Sequence, residues 1–159
     1  MKTKLSIYLL SSLALVFAMT PTNLEAQSQE TKKPIKYKKA RALQTSTAKK
    51  MAKVYEALEE VDESGEPAPD METVLTILTE LRNKKDELKS YDRSVMWNAW
   101  AYVYFSDAKY AQAINAYTNL INEPEVTIGL RVGALLSLAQ LNLVQENYEK
   151  GIELILQWM

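Results

Sequence analysis

The chain has 159 residues, which is enough for one domain of ordinary size. Its composition is 47% hydrophobic and 25% charged, as in globular proteins, and its formal net charge of −1 points to no nucleic acid or other strongly charged partner. The chain contains no Cys and no His, and their absence excludes Cys/His zinc sites, thiolate nucleophiles, disulfides and a Ser-His-Asp triad.

The first 26 residues have the pattern of a secretory signal peptide. Lys2 and Lys4 precede an apolar stretch, residues 5–17, that is shorter than the about 20 residues of a membrane span. Cleavage is expected after Ala26, which places the mature chain in the periplasm; an uncleaved anchor is the alternative. No Cys follows the apolar stretch, which excludes a lipid-anchored lipoprotein, and no transmembrane helix is expected after cleavage.

Residues 27–44 form a basic segment that lacks helical apolar periodicity up to about Ala40. We expect a flexible, solvated N-terminal tail. The alternative is an arm that makes a peripheral membrane contact with anionic lipid head groups, or that touches an acidic partner. Tyr37 is its only aromatic residue, which disfavours a stacking surface for nucleic acid.

Helical periodicity begins at Thr45. The apolar face of the first helix recurs at steps of three and four residues: Met51, Val54, Tyr55, Leu58 and Val61. The stretch SGEPAPD, residues 64–70, ends this helix because Gly and Pro do not continue it. Asp70 is the expected N-cap of the second helix. The stripe of that helix consists of Val74, Leu75, Leu78 and Leu81.

Four more helices follow with short turns. The third is capped by Ser90 or Asp92, and the sixth runs from Tyr148 to Trp158. The fourth covers about 110–121 and the fifth about 126–144. No region alternates with a period of two between turn signals, so the fold class is all-α. The helix pairs occupy about 45–89, 92–122 and 126–158, within a domain of residues 45–159.

The sequences of the last two helix pairs align with each other at a constant offset in residue number. KYAQAINAY, residues 109–117, aligns with NYEKGIELI, residues 147–155, and Ala101 aligns with Ala139. Small residues are expected where two helices cross closely, with aromatic residues filling the surrounding gaps. The expected packing residues are Trp97, Trp100, Ala101, Tyr104, Tyr110, Ala113, Tyr117, Leu120, Leu135, Leu138, Ala139, Tyr148 and Gly151.

The spacing of large, small and aromatic residues in WNAWAYVYFSDAKYAQAINAYTNLINEP, residues 97–124, resembles the tetratricopeptide repeat. The resemblance implies a right-handed α-α superhelix of about three antiparallel helix pairs, whose first helices line a groove for an extended peptide or a partner helix. The groove residues would be Asn98, Tyr102, Phe105, Leu136 and Gln140, with Ala52, Glu56 and Glu59 as candidates in the first pair. The alternative is that these are ordinary exposed residues of helices.

The order of a signal peptide, a basic stretch and helix pairs is similar to exported tetratricopeptide proteins associated with TonB/ExbB/ExbD systems of Gram-negative bacteria. This resemblance is carried by KSYDRSVMWNAWAYVYFSDAKYAQAINAYTNLI and EPEVTIGLRVGALLSLAQLNLVQENYEKGIELILQW. It implies a non-catalytic periplasmic scaffold, accessory to TonB-dependent uptake of substrates such as iron chelates. The partner would be an envelope protein or peptide, with TonB, ExbB and ExbD among the candidates. The alternative is a subunit of an envelope-assembly or cell-wall complex.

Two further expectations concern chemistry and length. We expect no enzyme activity and no cofactor, because the carboxylate pairs Glu59/Glu60 and Asp86/Glu87 lie in charged runs without an apolar pocket to shift their pKa. Members of the resembled family are longer, whereas this sequence ends on an apolar helix. We therefore expect a truncated member in preference to a face that docks on another chain.

Overall fold

The computed structural model describes residues 41–159. Within these residues, the six α-helices are α1 (Thr45–Leu58), α2 (Met71–Asn83), α3 (Ser90–Ser106), α4 (Tyr110–Asn122), α5 (Ile128–Val144) and α6 (Tyr148–Trp158). A single 3-10 turn, Lys85–Glu87, precedes α3, and extended backbone pairs in the described part of the chain only at an isolated bridge between Val61 and Pro67. The predicted all-α fold class is confirmed. The predicted signal peptide, residues 1–26, and residues 27–40 of the basic segment lie outside the described residues.

The first helix is shorter than its apolar pattern predicts. α1 ends at Leu58, so the assignment of Val61 to its face is wrong, and the Val61 side chain is 59% exposed. Val61 pairs instead with Pro67 in the antiparallel bridge. Gly65 takes the left-handed φ of 84° that the reversal between them requires. The chain therefore turns back on itself before the prolines are reached.

The N-terminus of α2 is capped by Asp70, as predicted. One oxygen of its carboxylate accepts a hydrogen bond from the backbone N–H of Thr73 at 3.0 Å. α5 has a cap that the sequence did not single out: the Thr127 hydroxyl accepts from the N–H of Leu130 at 3.4 Å. Both caps satisfy donors that the first turn of a helix leaves unpaired.

The prediction that Ser90 or Asp92 caps α3 is wrong. The residue before α3 is Lys89, and no side chain caps the helix. The buried carboxylate of Asp92 accepts from the N–H of Gln44, 3.0 Å away, at the start of α1. The Ser90 hydroxyl accepts from the N–H of Glu125 at 2.9 Å. Both side chains therefore join α3 to neighbouring segments.

The helix pairs α3–α4 and α5–α6 repeat in the backbone. α3 and α5 each have 17 residues, and they begin and end in the same register that aligns Ala101 with Ala139. The turns within the two pairs contain Ala108 and Glu146, which take left-handed φ angles of 54° and 60°. In both turns the N–H of the next residue donates to the carbonyl five residues earlier at 2.8 Å. This local geometry is that of a helix C-terminus closed by a left-handed residue.

The first pair follows the same plan with a longer connection. Its second helix, α2, has 13 residues, as does α4. The connection between α1 and α2 spans residues 59–70, whereas residues 107–109 suffice between α3 and α4. Helices joined by so short a connection must run back alongside each other.

Two apolar clusters contain most of the buried hydrophobic side chains among residues 41–159. The larger is contributed by α1 to α4 and includes Met51, Leu78 and Trp100. The smaller is centred on Leu138 and Leu154 of the last pair. Tyr117 packs against both clusters, so this side chain of α4 connects them.

Candidate functional site

The expected groove residues of α3 lie along one side of the helix. Asn98, Tyr102 and Phe105 are separated by four and three residues, which places them on one helical face. Tyr102 is 52% exposed, while Asn98 and Phe105 are half-buried. The Phe105 ring contacts that of Tyr110, with the centroids 6.1 Å apart. This face thus offers an aromatic ring and an amide to solvent.

The expected groove residues of α5 occupy the equivalent places. Leu136 and Gln140 correspond in the repeat to Asn98 and Tyr102, and both are exposed, Leu136 by 38%. Val132 of the same helix is also exposed. The exposed face of α5 is therefore more apolar than that of α3. In the first pair the candidates Ala52, Glu56 and Glu59 are all exposed, and Glu59 lies just beyond the end of α1.

Most of the expected packing residues are buried or half-buried. The buried ones are Trp100, Ala101, Ala113, Leu120, Leu135, Leu138, Ala139 and Gly151, and the half-buried ones are Trp97, Tyr104, Tyr110 and Tyr117. Tyr148 differs from the expectation, since its side chain is 58% exposed. Its counterpart Tyr110 is covered by Phe105, whereas the residue of α5 that corresponds to Phe105 is Leu143, which contacts Gly151 instead.

The small packing residues of the paired helices are buried. Ala101, Ala113 and Ala139 are fully buried. A Cβ added to Gly151 would lie 2.7 Å from Leu143 Cδ2 and 3.3 Å from the carbonyl oxygen of Ala139. Both distances are tighter than normal van der Waals contact, so α5 and α6 come closer than an Ala would allow.

A cationic and aromatic cluster lies where α2 meets α3. The indole of Trp100 stacks on Tyr104 with ring centroids 5.0 Å apart, and its Nε1 donates to the carbonyl of Leu78 at 3.2 Å. The Arg82 guanidinium lies 4.4 Å from the centroid of the Trp100 ring, in cation–π geometry. Its Nη1 also donates to the Tyr104 hydroxyl at 3.1 Å. Arg82 is thereby held in one orientation.

This cluster forms one wall of a cleft of about 240 Å³. The cleft is lined by Arg82, Trp97, Tyr104, Gln112, Asn115, Ala116 and Asn119. The sequence did not single out Arg82, which lies in the charged stretch RNKKDELK, residues 82–89. A signal was available, since Arg82 is the penultimate residue of α2 and its counterpart at the end of α4 is the apolar Ile121.

A second polar cluster joins α3 to the end of α4. Arg93 forms a two-pronged ion pair with Glu123, with Nε–Oε1 at 2.7 Å and Nη2–Oε2 at 2.8 Å. Its remaining Nη1 donates to the carbonyl of Leu88 at 2.6 Å. The hydrogen bonds to Glu123 raise the pKa of the Arg93 guanidinium, against the opposing effect of burial. All three nitrogens of the guanidinium donate hydrogen bonds within the protein, so this cluster has a structural role.

The connection between α1 and α2 belongs to a strongly acidic region. Residues 54–81 contain nine Asp and Glu side chains and no Lys or Arg. Asp62 Oδ1 accepts hydrogen bonds from the Ser64 hydroxyl at 2.6 Å, and from the backbone N–H groups of Ser64 and Glu66 at 2.8 and 3.1 Å. These bonds, that of the hydroxyl foremost, lower the pKa of the Asp62 carboxyl. The turn thus stabilises the charged form of Asp62.

The comparisons with known proteins give no family for this chain. A scan against protein-family models and searches of curated proteins and of solved structures find no match to it. Among residues 41–159, no helix combines the length and the apolar character that crossing a membrane requires. Any statement about function therefore rests on the residues and their arrangement.

Proposed function

We propose that this chain is a non-catalytic protein-binding scaffold of the tetratricopeptide type, exported to the periplasm. The observation that carries the proposal is the backbone repeat of α3–α4 in α5–α6, with fully buried Ala101 and Ala139 at equivalent places. Arrays of similar helix pairs present extended surfaces that suit an extended peptide or a partner helix. No cofactor has a role in this function.

The binding surface of the proposed scaffold is the pair of equivalent faces on α3 and α5. Tyr102 and Leu136 are exposed there, and Gln140 supplies an amide. An aromatic ring and an apolar side chain next to amides suit a peptide, whose backbone needs hydrogen bonds while its side chains need apolar contacts. These residues are the proposed contacts with an envelope protein or peptide.

The proposed location and pathway depend on the sequence pattern. The signal-peptide pattern of residues 1–26 supports export to the periplasm, with Gln27 as the first residue of the mature chain. The order of segments supports an accessory role in TonB-dependent uptake, with TonB, ExbB or ExbD as partners. A subunit of an envelope-assembly or cell-wall complex remains the second candidate, because it would use the same surface.

Co-purification after cross-linking tests this proposal. The chain, tagged at its C-terminus, is expressed from its full sequence, cross-linked in intact envelopes and purified, and the captured proteins are identified by mass spectrometry. The intact mass of the same preparation measures where the chain begins. The matched control is Thr118→Ala, which changes an exposed residue of α4 away from the proposed surface.

The expected result is a mature chain that begins at Gln27 and captures TonB, ExbB or ExbD. This capture should be retained by Thr118→Ala and lost in a Tyr102→Ser/Leu136→Ser double variant. Capture of cell-wall or outer-membrane assembly proteins through the same two residues would select the second candidate. If the double variant captures the same proteins as the wild type, the proposed binding surface is contradicted.

A further inference from the structure

We infer that the Arg82 cleft is a second binding site, which takes an extended peptide segment that carries an acidic side chain. The Arg82 cleft is the space lined by Arg82, Trp97, Tyr104, Gln112, Asn115, Ala116 and Asn119. It is formed by α2, α3 and α4 and uses none of the residues proposed above for the scaffold surface. The inference depends neither on export nor on the identity of an envelope partner.

The charge of Arg82 has no partner of opposite sign in the described part of the chain. The salt bridges among residues 41–159 include Arg41, Arg93 and four lysines but not Arg82. No Asp or Glu lines the cleft. Its contacts with Trp100 and with the Tyr104 hydroxyl fix the guanidinium in place but do not neutralise it. A guanidinium held in this way is prepared to bind a carboxylate in the two-pronged manner that Arg93 uses with Glu123.

Three amides form the opposite wall of the cleft. Gln112, Asn115 and Asn119 follow each other on α4 by three and four residues and therefore share a face. The only hydrogen bond that their side chains form among the described residues is from Asn119 Nδ2 to Asn115 Oδ1, at 3.0 Å. Side-chain amides both donate and accept hydrogen bonds, as a peptide backbone does. The amide row extends over roughly 10 Å of helix, the length of about three residues of an extended peptide.

The size of the cleft also favours a peptide. Its volume of about 240 Å³ is below the about 300–1,000 Å³ of pockets that enclose a small molecule. A cleft of this size accommodates one or two side chains of a longer ligand whose backbone remains at the surface. The half-buried Trp97 supplies an apolar contact for one of these side chains.

The next junction of the repeat shows that this arrangement is not a general consequence of the fold. There, Arg82 is replaced by Ile121, Trp97 by Leu135 and Ala116 by Leu154. These three side chains pack in the smaller apolar cluster. At the second junction, apolar side chains therefore replace the guanidinium, the indole and the small Ala116 of the Arg82 cleft.

A displayed library of random nine-residue peptides, selected on the purified full-length chain, tests the inference. We expect the enriched peptides to share an Asp or Glu, and their affinity, measured by fluorescence polarisation with the labelled peptide, to fall at least tenfold in Arg82→Gln. Asn115→Ala should weaken binding severalfold. Asn115 is exposed, and the one side-chain hydrogen bond it forms among the described residues is with Asn119, so we expect this second variant to fold normally. The matched control is Lys84→Gln, which removes an exposed positive charge two residues from Arg82 and should leave the affinity unchanged.

Three outcomes would overturn the inference. The first is that no peptide is enriched. The second is an enriched set without acidic residues, or one whose binding survives both Arg82→Gln and Asn115→Ala. The third is that short oligosaccharides, tested in the same assay as competitors, bind in the cleft in place of peptides. None of these results bears on the scaffold surface of α3 and α5, which is tested separately by cross-linking.

Discussion

At the scale of single residues, close packing between paired helices depends on a few small side chains. Gly151 is the most demanding of these positions, because a Cβ there would overlap Leu143 at its branch point, 2.8 Å from Cγ. The backbone carbonyl oxygen of Ala139 would lie 3.3 Å from the same Cβ, so the added atom is crowded by backbone as well as by a side chain. Gly133, in the exposed part of α5, has nothing within 4 Å of the same added atom. Comparing Ala substitutions at these two glycines therefore separates the effect of helix propensity on stability from the effect of packing.

We predict that Gly151→Ala lowers the free energy of unfolding, whereas Gly133→Ala raises it. Replacing Gly by Ala within a helix stabilises by about 1 kcal/mol, which is the expected gain at Gly133. At Gly151 an overpacking cost of about 1–3 kcal/mol opposes and exceeds that gain. Urea unfolding of both variants, followed by circular dichroism, measures the difference. Equal stabilisation by the two substitutions would show that α5 and α6 do not approach each other this closely.

At the scale of elements, the Arg93–Glu123 pair joins the start of α3 to the end of α4. Its side chains are 26% and 11% exposed, whereas those of the Lys150–Glu153 pair on α6 are 53% and 52% exposed. We predict that Glu123→Gln costs about 2 kcal/mol, less than the about 3–5 kcal/mol of a fully buried pair. Glu153→Gln, the control, should cost under about 0.5 kcal/mol. Chemical denaturation measures both, and similar costs would contradict a structural role for Arg93.

We predict that the protein loses stability in acid because of the hydrogen bonds to Asp62 in the turn between α1 and α2. The pKa of Asp62 is lowered from 3.8 in the folded chain, chiefly by the Ser64 hydroxyl, so folding favours the ionised form. This contribution is fully present above pH 3.8 and is lost as the pH falls through the lower, folded pKa. The carboxyl pKa values of Asp70, Glu80 and Glu125 are also lowered, so they act in the same direction.

Thermal unfolding between pH 6 and pH 2.5 measures this effect. The wild type should lose more of its Tm below pH 4 than Asp62→Asn, which has no charge at this position to lose. Glu63→Gln removes a charge from the same turn without removing a hydrogen bond to Asp62, and should retain the wild-type acid dependence. The account of this turn fails if Asp62→Asn shows the full wild-type dependence.

Sequence periodicity predicted all six helices of the described residues, although it extended the first to Val61, but it did not predict contacts between distant segments. The bounds of α6 and the Asp70 cap followed from local rules, because both depend on residues within one turn of each other. The caps assigned to Ser90 and Asp92 were wrong because Asp92 is used by Gln44, 48 residues earlier, and Ser90 by Glu125, 35 residues later. For the same reason the Arg82 cleft was not predicted, since its three walls come from three helices. Local patterns contain no information on such long-range partners.

At the scale of the whole molecule, two unequal apolar clusters share Tyr117. The cluster of α1 to α4 contains 13 buried residues and that of the last pair contains four, so the last pair should open more readily. We predict faster amide hydrogen exchange in α5–α6 than in α2–α3, and a further increase in Tyr117→Ala that is larger in α5–α6 than in α2–α3. Tyr102→Ala, which removes an exposed ring outside both clusters, is the control. Uniform exchange across all helices would contradict a core in two parts.

If the exposed faces of α3 and α5 form one binding surface, both should contact the same partner, and residue-specific photo-cross-linking measures this contact. A photoreactive amino acid is placed at Tyr102, at Leu136 or, as a control, at Thr118 on α4, and irradiated in intact envelopes. We expect Tyr102 and Leu136 both to yield an adduct with one and the same envelope protein, while Thr118 yields none. Adducts with unrelated proteins, or none from either face, would contradict a shared binding surface.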